Sequence, residues 1–377
     1  MTTRYSSSCL TACSRFQYTN IQLSTARYSR QYSFTKNTKN KSTRPPPPRF
    51  DLAPKSTNAK EKEKAITTTL PSTINPPPTT RPPPLDLPTR GQEAYPIYLY
   101  RTGRAYGTFY KDGLKNVWHN HKAASALKKR IVAALNARKP DLAPPASASK
   151  PWRAFRDEAV QRRVVSRAEF QLLERNARDI GKLPFFAFLV VLFGEWLPLI
   201  VPFIPNRVPG TCRIPKQVRG MREKSEARRR WSFRSGVAEP AAGQVAVEGG
   251  KWRMTDRANV REVLKNLGSE QLMHLSCVLD QHSGVWDRVQ LTPPAGLIRR
   301  GVCARVQYLA LDDFLIVEAG GIKNLSSEEL TVACEERGID VLGKPEDKLK
   351  SELQAWIKKQ EHDEGRGWAM IEMLFRR

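Results

Sequence analysis

Glu195 is the acid whose position most strongly indicates chemistry, because it lies near the middle of a long apolar run. Residues 183–204 read LPFFAFLVVLFGEWLPLIVPFI, with fifteen Leu, Ile, Val or Phe side chains and this one charged group. An ionised carboxylate among hydrocarbon needs a partner, water or a proton, so Glu195 is a candidate for ion or proton transfer. A structural role is the alternative: a protonated Glu195 could hydrogen-bond backbone groups freed by Pro198 and Pro202.

A dense cluster of basic side chains follows this run and is the second candidate for chemistry. Residues 207–234 hold ten Lys or Arg, with Trp231 and Phe233 among them, in a chain of net charge +26. The pattern suits phosphate contact and base stacking with RNA. A lipid surface explains it equally well, since each cation near anionic headgroups gains about 1 kcal/mol. The candidate contact residues for RNA or lipid are Arg207, Arg213, Lys216, Arg219, Arg222, Lys224, Arg228, Arg229, Arg230 and Arg234.

No motif in the chain indicates an enzyme. Nucleotide-binding glycine loops, the serine-hydrolase elbow, the HExxH zinc motif and the EF-hand loop do not occur. The cysteines form no CxxC pair, and His119 and His121, two residues apart, do not face one way on a helix. We therefore expect no catalytic residues, no bound metal and no cofactor.

The apolar run is long enough to form a membrane-spanning helix. Its 22 residues reach about 33 Å at ~1.5 Å per residue, close to the ~30 Å hydrocarbon core. Its apolar side chains gain roughly 0.3 to 0.6 kcal/mol each on insertion, which outweighs one central carboxylate at about 2.5 to 3.5 kcal/mol. We therefore predict a transmembrane helix over 183–204 rather than a buried hairpin in a soluble core. The flanks carry similar numbers of basic residues, so flanking charge leaves the orientation open.

The first quarter of the chain predicts a targeting leader and a linker. Residues 1–50 contain no Asp or Glu but nine Lys or Arg among many Ser, Thr and Tyr, which is typical of a mitochondrial transit peptide. A processing site after Tyr32 would make residues 1–32 the transit peptide. Proline clusters then predict a disordered linker over 33–94.

Helical periodicity dominates the rest of the chain. Apolar residues recur at helical spacing over 110–135, and Ser166 with Glu169 has the form of a capping box. The C-terminal third contains at least four further amphipathic segments. We predict an all-α protein with a helical pre-membrane region at 95–182, the span, and a helical domain at 205–377.

A set of motifs around the apolar run and in the C-terminal third carries a family resemblance. The motifs are Ser166–Phe170, FGEWLP around Glu195, Ile204–Pro209, Glu318–Leu330, Ala333–Gly338, and Leu349, Leu353 and Trp356 at matching spacing. On these residues the chain resembles the LETM family (leucine-zipper, EF-hand transmembrane proteins) in a short, fungal-like form. The resemblance covers the span and the ribosome-binding domain, over about residues 105–377.

This resemblance implies a mitochondrial inner-membrane protein with a single span and its C-terminus in the matrix. The matrix domain would be all-helical, 14-3-3-like in outline, and would bind mitochondrial ribosomes. Its function would be to support membrane insertion of mitochondrially encoded proteins and organelle cation homeostasis. The alternative is a component of a K⁺/H⁺ exchanger acting through Glu195, which on one span requires a homo-oligomer. The implied partners are the mitochondrial ribosome and inner-membrane lipids such as cardiolipin.

Two features bear on other hypotheses. The coiled coils and EF-hand of longer family members are missing before the chain ends at Arg377, so we expect no calcium sensing through such a loop. The Leu325–Trp356 segment also resembles a SAP-type DNA-binding motif. The acidic charge of that region and the predicted span both argue against a nuclear DNA-binding protein.

Overall fold

The computed structural model describes residues 73–89, 94–138, 152–193, 204–241, 244, 257–289, 291–361 and 369–376, which all fall in one compact unit. The regular elements in these ranges are helical, which confirms the predicted all-α class for them. The α-helices are α1 (Tyr95–Arg138), α2 (Trp152–Gln161), α3 (Arg167–Ile180), α4 (Leu183–Phe193), α5 (Pro215–Arg234), α6 (Arg257–Asn266), α7 (Ser269–Val278), α8 (Gly284–Arg288), α9 (Ala295–Glu318), α10 (Ser327–Glu336), α11 (Glu346–Glu361) and α12 (Ala369–Phe375). Short 3-10 turns lie at Pro78–Thr80, Pro205–Arg207, Gly210–Cys212 and Ile322–Asn324.

Helix α9 forms the centre of the core. Val302, Val306 and Leu309 are fully buried, and their spacing of three or four residues places them on one face. Helices α2, α3, α6 and α7 contact α9, while α10, α11 and α12 complete the same hydrophobic cluster. The predicted inward face of α11 is confirmed, because Leu353 is fully buried and Trp356 is nearly so.

The capping box predicted at the start of α3 is present. Ser166 accepts a hydrogen bond from the Glu169 amide, and the Glu169 carboxylate accepts one from the Ser166 amide at 3.1 Å. Ser326 caps α10 in the same way, accepting from the Glu329 amide. The Glu329 carboxylate is used elsewhere, however, and the Ser326 amide donates to the side-chain oxygen of Asn75 instead.

Part of the predicted linker is packed onto the helices. Ile74 is fully buried in the main core, and the side-chain amide of Asn75 donates to the Asn324 backbone carbonyl at 2.8 Å. The prediction of a uniform linker over 33–94 is therefore wrong for residues 73–89, because proline content alone cannot reveal an anchoring isoleucine and asparagine. The transit peptide and residues 33–72 lie outside the described residues.

Helix α4 contains the first half of the predicted span and is buried on one side. Phe186 and Leu189 pack against Phe109 and Tyr110 of α1 in a second, smaller hydrophobic cluster. The opposite side is open, with exposed Phe188, Val191 and Leu192 on the surface.

The span itself stays a prediction. Among the described residues, no helix is both long enough and apolar enough to cross a bilayer. Residues 194–203, and Glu195 with them, lie outside the described part of the chain.

Candidate nucleic-acid interface

Helix α5 carries most of the candidate cations and is strongly basic. It holds eight Lys or Arg against two Glu, a net charge of +6. Pro215 occupies its first turn, where no amide partner is needed, and the Gln217 side-chain oxygen accepts from the Ile214 amide at 3.0 Å. The helix packs mainly on α7.

One side of α5 is a buried seam. Arg229 is 5% exposed, and its Nε donates to the Val278 carbonyl at 2.9 Å while Nη2 donates to the Glu335 carbonyl at 3.0 Å. Burial lowers the pKa of this guanidinium, and the neighbouring Glu226 and Glu335 carboxylates oppose that shift. Phe233 also faces inward, edge-on to the His274 ring at 4.9 Å. Arg229 therefore attaches α5 to α7 and α10 and is not available to an outside partner.

Three more of the candidate arginines are neutralised by carboxylates from other parts of the chain. The ion pairs join Arg222 to Glu335 at 2.8 Å, Arg228 to Asp280 at 2.6 Å and Asp287 at 2.9 Å, and Arg230 to Asp340 at 2.9 Å. These pairs are partly exposed, where such interactions contribute about 0 to 1 kcal/mol each. They orient α5 against its neighbours, and they reduce the charge that a polyanion would meet.

Three of the four remaining α5 cations form, together with Trp231, what we call the open face, defined by Lys216, Lys224, Trp231 and Arg234. At 100° per residue the three cations lie within roughly 60° of Trp231 around the helix axis. All four side chains are exposed, Trp231 by 45%, and within the described ranges none of the three cations has a carboxylate partner. An exposed indole among unpaired cations suits the sugar-phosphate backbone and bases of RNA.

A separate groove lies on another side of α5. It has a volume of about 420 Å³ and is lined by Arg219, Arg222 and Glu223 of α5 and by the turn Val341–Gly343. Arg219 is 79% exposed in its side chain, and its carboxylate partner is Glu223 on the same helix. At 100° per residue, Arg219 lies about 120° and Arg222 about 180° from Trp231 around the helix axis, so the groove is not part of the open face.

Arg207 and Arg213 belong to the segment between α4 and α5 and not to the open face. The Arg207 guanidinium lies over the Phe185 ring at 5.4 Å, beside the apolar helix. Arg213 is half-buried, and burial lowers its pKa while the nearby Asp179 carboxylate opposes the shift. Asp179 itself accepts from the Gly210 amide at 2.6 Å, which fixes this connection.

Comparison with known proteins identifies the C-terminal third of the chain. Residues 254–373 match the family model described as LETM1-like, RBD. Over 222 residues, 51% of this chain, the sequence is 29% identical to the LETM1 domain-containing protein mdm28, mitochondrial, of Schizosaccharomyces pombe, of which it covers 45%. Over 239 residues, 55% of this chain, it is 26% identical to the mitochondrial proton/calcium exchanger protein of Drosophila melanogaster, of which it covers 22%.

The chain thus contains a LETM1-like domain at residues 254–373 and is similar to both relatives over about half of its length. It spans less than half the length of either relative, and both relatives are mitochondrial by name. These similarities support a mitochondrial location for this chain. No solved structure matches it, and the 14-3-3-like outline stays a prediction.

The LETM domain contains a buried ionic network that the sequence analysis missed. At its centre Asp312 of α9 accepts from Arg167 at 2.9 Å and from Arg337 at 2.8 Å, with all three side chains fully buried. Burial alone would raise the pKa of Asp312, but the two guanidiniums hold it well below its usual range. The available signal was an aspartate pair inside the apolar stretch Tyr308–Val317 of α9.

The network also joins α3 to α10. Arg175 binds the fully buried Glu329 carboxylate through both terminal nitrogens, at 2.9 and 2.7 Å. Arg175 lies outside residues 254–373, whereas Glu329 lies inside them. The LETM domain is thus completed by charges from α3, which precedes the apolar run in the chain. Arg337 is a basic residue of the SAP-like motif. Its side chain is fully buried in this network, so DNA cannot reach it.

Neither the described cysteines nor the histidines form a metal site. No group of three or more His, Cys, Asp or Glu with suitable geometry occurs in the described ranges. Cys212, Cys277, Cys303 and Cys334 are free thiols in buried positions.

Proposed function

We propose that this protein binds mitochondrial ribosomes through the open face of α5, on the matrix side of the inner membrane, and supports insertion of mitochondrially encoded proteins. The function is one of binding, without an enzymatic reaction. The observation that carries the proposal is the grouping, around the exposed Trp231, of three cations that have no carboxylate partner in the part of the chain that the structure describes. Ribosomal RNA supplies both the phosphates and the unstacked bases that such a surface recognises.

The neighbouring apolar helix supports the membrane part of the proposal. Helix α4 exposes Phe188, Val191 and Leu192, and the described residues 204–214 before α5 are held to α3 by the hydrogen bond from the Gly210 amide to Asp179. A surface of this kind next to the bilayer would hold a bound ribosome near the site where nascent chains are inserted.

Co-sedimentation of the full chain with mitochondrial ribosomes tests the proposal. Affinity should fall steeply with salt, because displaced counterions accompany each phosphate contact. In the double variant Lys224→Gln/Arg234→Gln, the slope of log affinity against log salt should fall by about 2. The matched control Lys323→Gln/Lys348→Gln removes two exposed charges elsewhere and should leave the slope unchanged. Absence of binding at low salt would contradict the proposal outright.

Cation exchange through Glu195 is a second candidate function. It is supported by the similarity to the mitochondrial proton/calcium exchanger protein of Drosophila melanogaster and by the apolar helix α4, which ends two residues before this acid in the sequence. A single span cannot line a pore, so the exchanger would be a homo-oligomer with Glu195 facing its interior.

Reconstituted vesicles containing the full chain provide the test for exchange. Proton-coupled K⁺ flux should be lost in Glu195→Gln and retained in Glu262→Gln, which removes an exposed acid of α6. Equal flux in the wild type, Glu195→Gln and Glu195→Ala would exclude transport through this acid.

A further inference from the structure

A cavity between α6 and the first turns of α9 collects positive charge away from α5. It has a volume of about 310 Å³, and five of the residues that line it are basic: Arg257, Arg261, Lys265, Arg299 and Arg300. No α5 residue lines it. Like charges gathered around one space repel each other, so the arrangement is unfavourable unless something negative balances it.

Carboxylates of the described chain balance little of this charge. Glu262 binds Lys265 at 2.8 Å on the exposed rim, and Arg299 donates only to the Leu264 carbonyl, at 3.2 Å. Arg261 and Arg300 have no carboxylate partner within the described ranges. Arg257 and Arg261 thus approach the cavity from α6, and Arg299 and Arg300 from α9.

Arg257 adds an unsatisfied donor to the cavity. Its Nε atom is buried and has no hydrogen-bond partner among the described residues. The Asp157 carboxylate interacts with this guanidinium electrostatically, but it is already bound by Arg156 at 2.6 Å and by Gln307 at 2.7 Å. A buried N–H without an acceptor is unfavourable, and an oxyanion in the cavity would accept its hydrogen bond.

The start of α9 favours the same kind of ligand. This 24-residue helix has no acidic residue in its first turn and no side-chain cap at Pro294. Gly296, in that turn, lines the cavity, so the amides at the helix start lie beside the arginines.

We propose that this cavity binds a phosphate group of a small molecule, either free phosphate or diphosphate or the headgroup of an anionic phospholipid. Arginine forks match phosphate oxygens in geometry and charge. A space of this size, at the lower limit of small-molecule pockets at ~300 Å³, accepts a phosphate or diphosphate but not a folded RNA segment. Leu297 next to Gly296 is 59% exposed, so apolar surface for an acyl chain adjoins the charged site.

Calorimetric titration of the full chain in zwitterionic detergent tests the proposal. The probes are inorganic pyrophosphate, dihexanoyl phosphatidylglycerol and, as the uncharged comparison, dihexanoyl phosphatidylcholine. Binding of pyrophosphate supports a free phosphate, and binding of phosphatidylglycerol alone supports a lipid headgroup. If neither anion binds, or if phosphatidylcholine binds as well as phosphatidylglycerol, the proposal is overturned.

Gly296→Asp is the sharpest variant, because it places a carboxylate at the cavity without disturbing the fold. A Cβ at this position meets no atom within 4 Å, and an acid in the first turn suits the helix dipole. We expect at least a tenfold loss of affinity in Gly296→Asp and none in Gly296→Ala. The double variant Arg261→Gln/Arg300→Gln should lose affinity to the same extent. The control Lys323→Gln/Lys348→Gln should bind like the wild type. Undiminished binding in both cavity variants would place the ligand elsewhere.

Ribosome co-sedimentation separates this site from the open face of α5. Gly296→Asp should bind ribosomes like the wild type, because the open face is intact. If Gly296→Asp loses ribosomes and an RNA oligonucleotide competes with pyrophosphate, the cavity is part of an RNA surface and the small-ligand assignment is wrong.

Discussion

The indole of Trp231 distinguishes the open face of α5 from an ordinary solvated basic helix. Cations alone are satisfied by water, whereas an exposed indole beside them also offers a ring on which a base can stack. Its neighbour Phe233, two residues along, is turned inward onto His274. The two aromatic residues of the basic stretch therefore have opposite roles.

Replacement of Trp231 tests whether its indole takes part in ribosome binding. We expect Trp231→Ala to weaken ribosome binding by about 1 to 3 kcal/mol through loss of base stacking, and Trp231→Phe to restore most of it. Co-sedimentation at fixed salt measures the effect. Thermal unfolding of both variants should match the wild type within a degree or two, and a large drop in the unfolding temperature would instead identify Trp231 as a packing residue.

Arg229 holds α5 to its neighbours instead of facing a partner, so its replacement should lower the free energy of unfolding. Arg229→Met keeps the length of the side chain but removes the charged hydrogen bonds to the Val278 and Glu335 carbonyls. Bonds of this kind contribute roughly 1.5 to 3 kcal/mol each, so the unfolding free energy should fall by at least about 2 kcal/mol. Denaturant unfolding of the full chain measures this, with Arg234→Met on the open face as the control. A change of less than about 0.5 kcal/mol in both variants would contradict the assignment of Arg229 to the seam.

At the scale of elements, local signals predicted helices well and their partners poorly. The capping box at Ser166 and the inward spacing of Leu353 and Trp356 depend on residues within one or two turns, so the sequence reveals them. The anchor at Ile74 depends on residues more than two hundred positions away. Capping-box spacing likewise could not show that the Glu329 carboxylate is bound by Arg175.

In the candidate site, too, the residues could be predicted from the sequence but their partners could not. Ten basic residues could be named from the sequence, and the prediction that they contact RNA or lipid remains untested. Which of them are exposed depends on the acids that α7, α8 and α10 bring to α5. The sequence places those acids fifty or more positions downstream, with nothing to indicate which arginine each one meets.

For the molecule as a whole, the ionic network makes stability depend on pH. Burial would raise the pKa of Glu336, but the Arg305 and Arg178 guanidiniums and the Tyr308 hydroxyl, at 2.6 Å, lower it to about 2. A carboxylate with a lowered folded-state pKa stabilises the protein fully above its unfolded pKa of about 4.5, and the stabilisation is lost as pH falls toward 2.

Acid titration of unfolding tests this contribution. We expect the full chain to lose roughly 3 kcal/mol between pH 4.5 and 2 from Glu336 alone. Glu336→Gln should be less stable at pH 7 and should show a shallower loss over that interval. Glu262→Gln, which removes an exposed acid, should retain the wild-type slope. Parallel pH profiles for the wild type and Glu336→Gln would contradict a depressed pKa at this residue.

The same network predicts the behaviour of a truncated domain. A fragment of residues 205–377 lacks Arg167 and Arg175, which leaves Asp312 and Glu329 with fewer cations. In the full chain, Glu329→Gln should lower the unfolding temperature, because it breaks a buried ion pair. In the fragment, the same substitution should stabilise, because it removes a poorly compensated buried charge. Thermal unfolding of the four proteins measures the sign, and the same sign in both backgrounds would mean that α3 is not needed to balance the network.

The bond between Arg175 and Glu329 also constrains how this protein can change over generations. A lineage that loses the arginine inherits a buried carboxylate without its partner, and it is selected to lose the glutamate too. Residues 167–175 and 312–337 should therefore covary among relatives, although they lie on opposite sides of the apolar run and one of them falls outside the recognised domain. Exchange of the C-terminal domain between distant relatives should succeed only where the matching α3 is inherited with it.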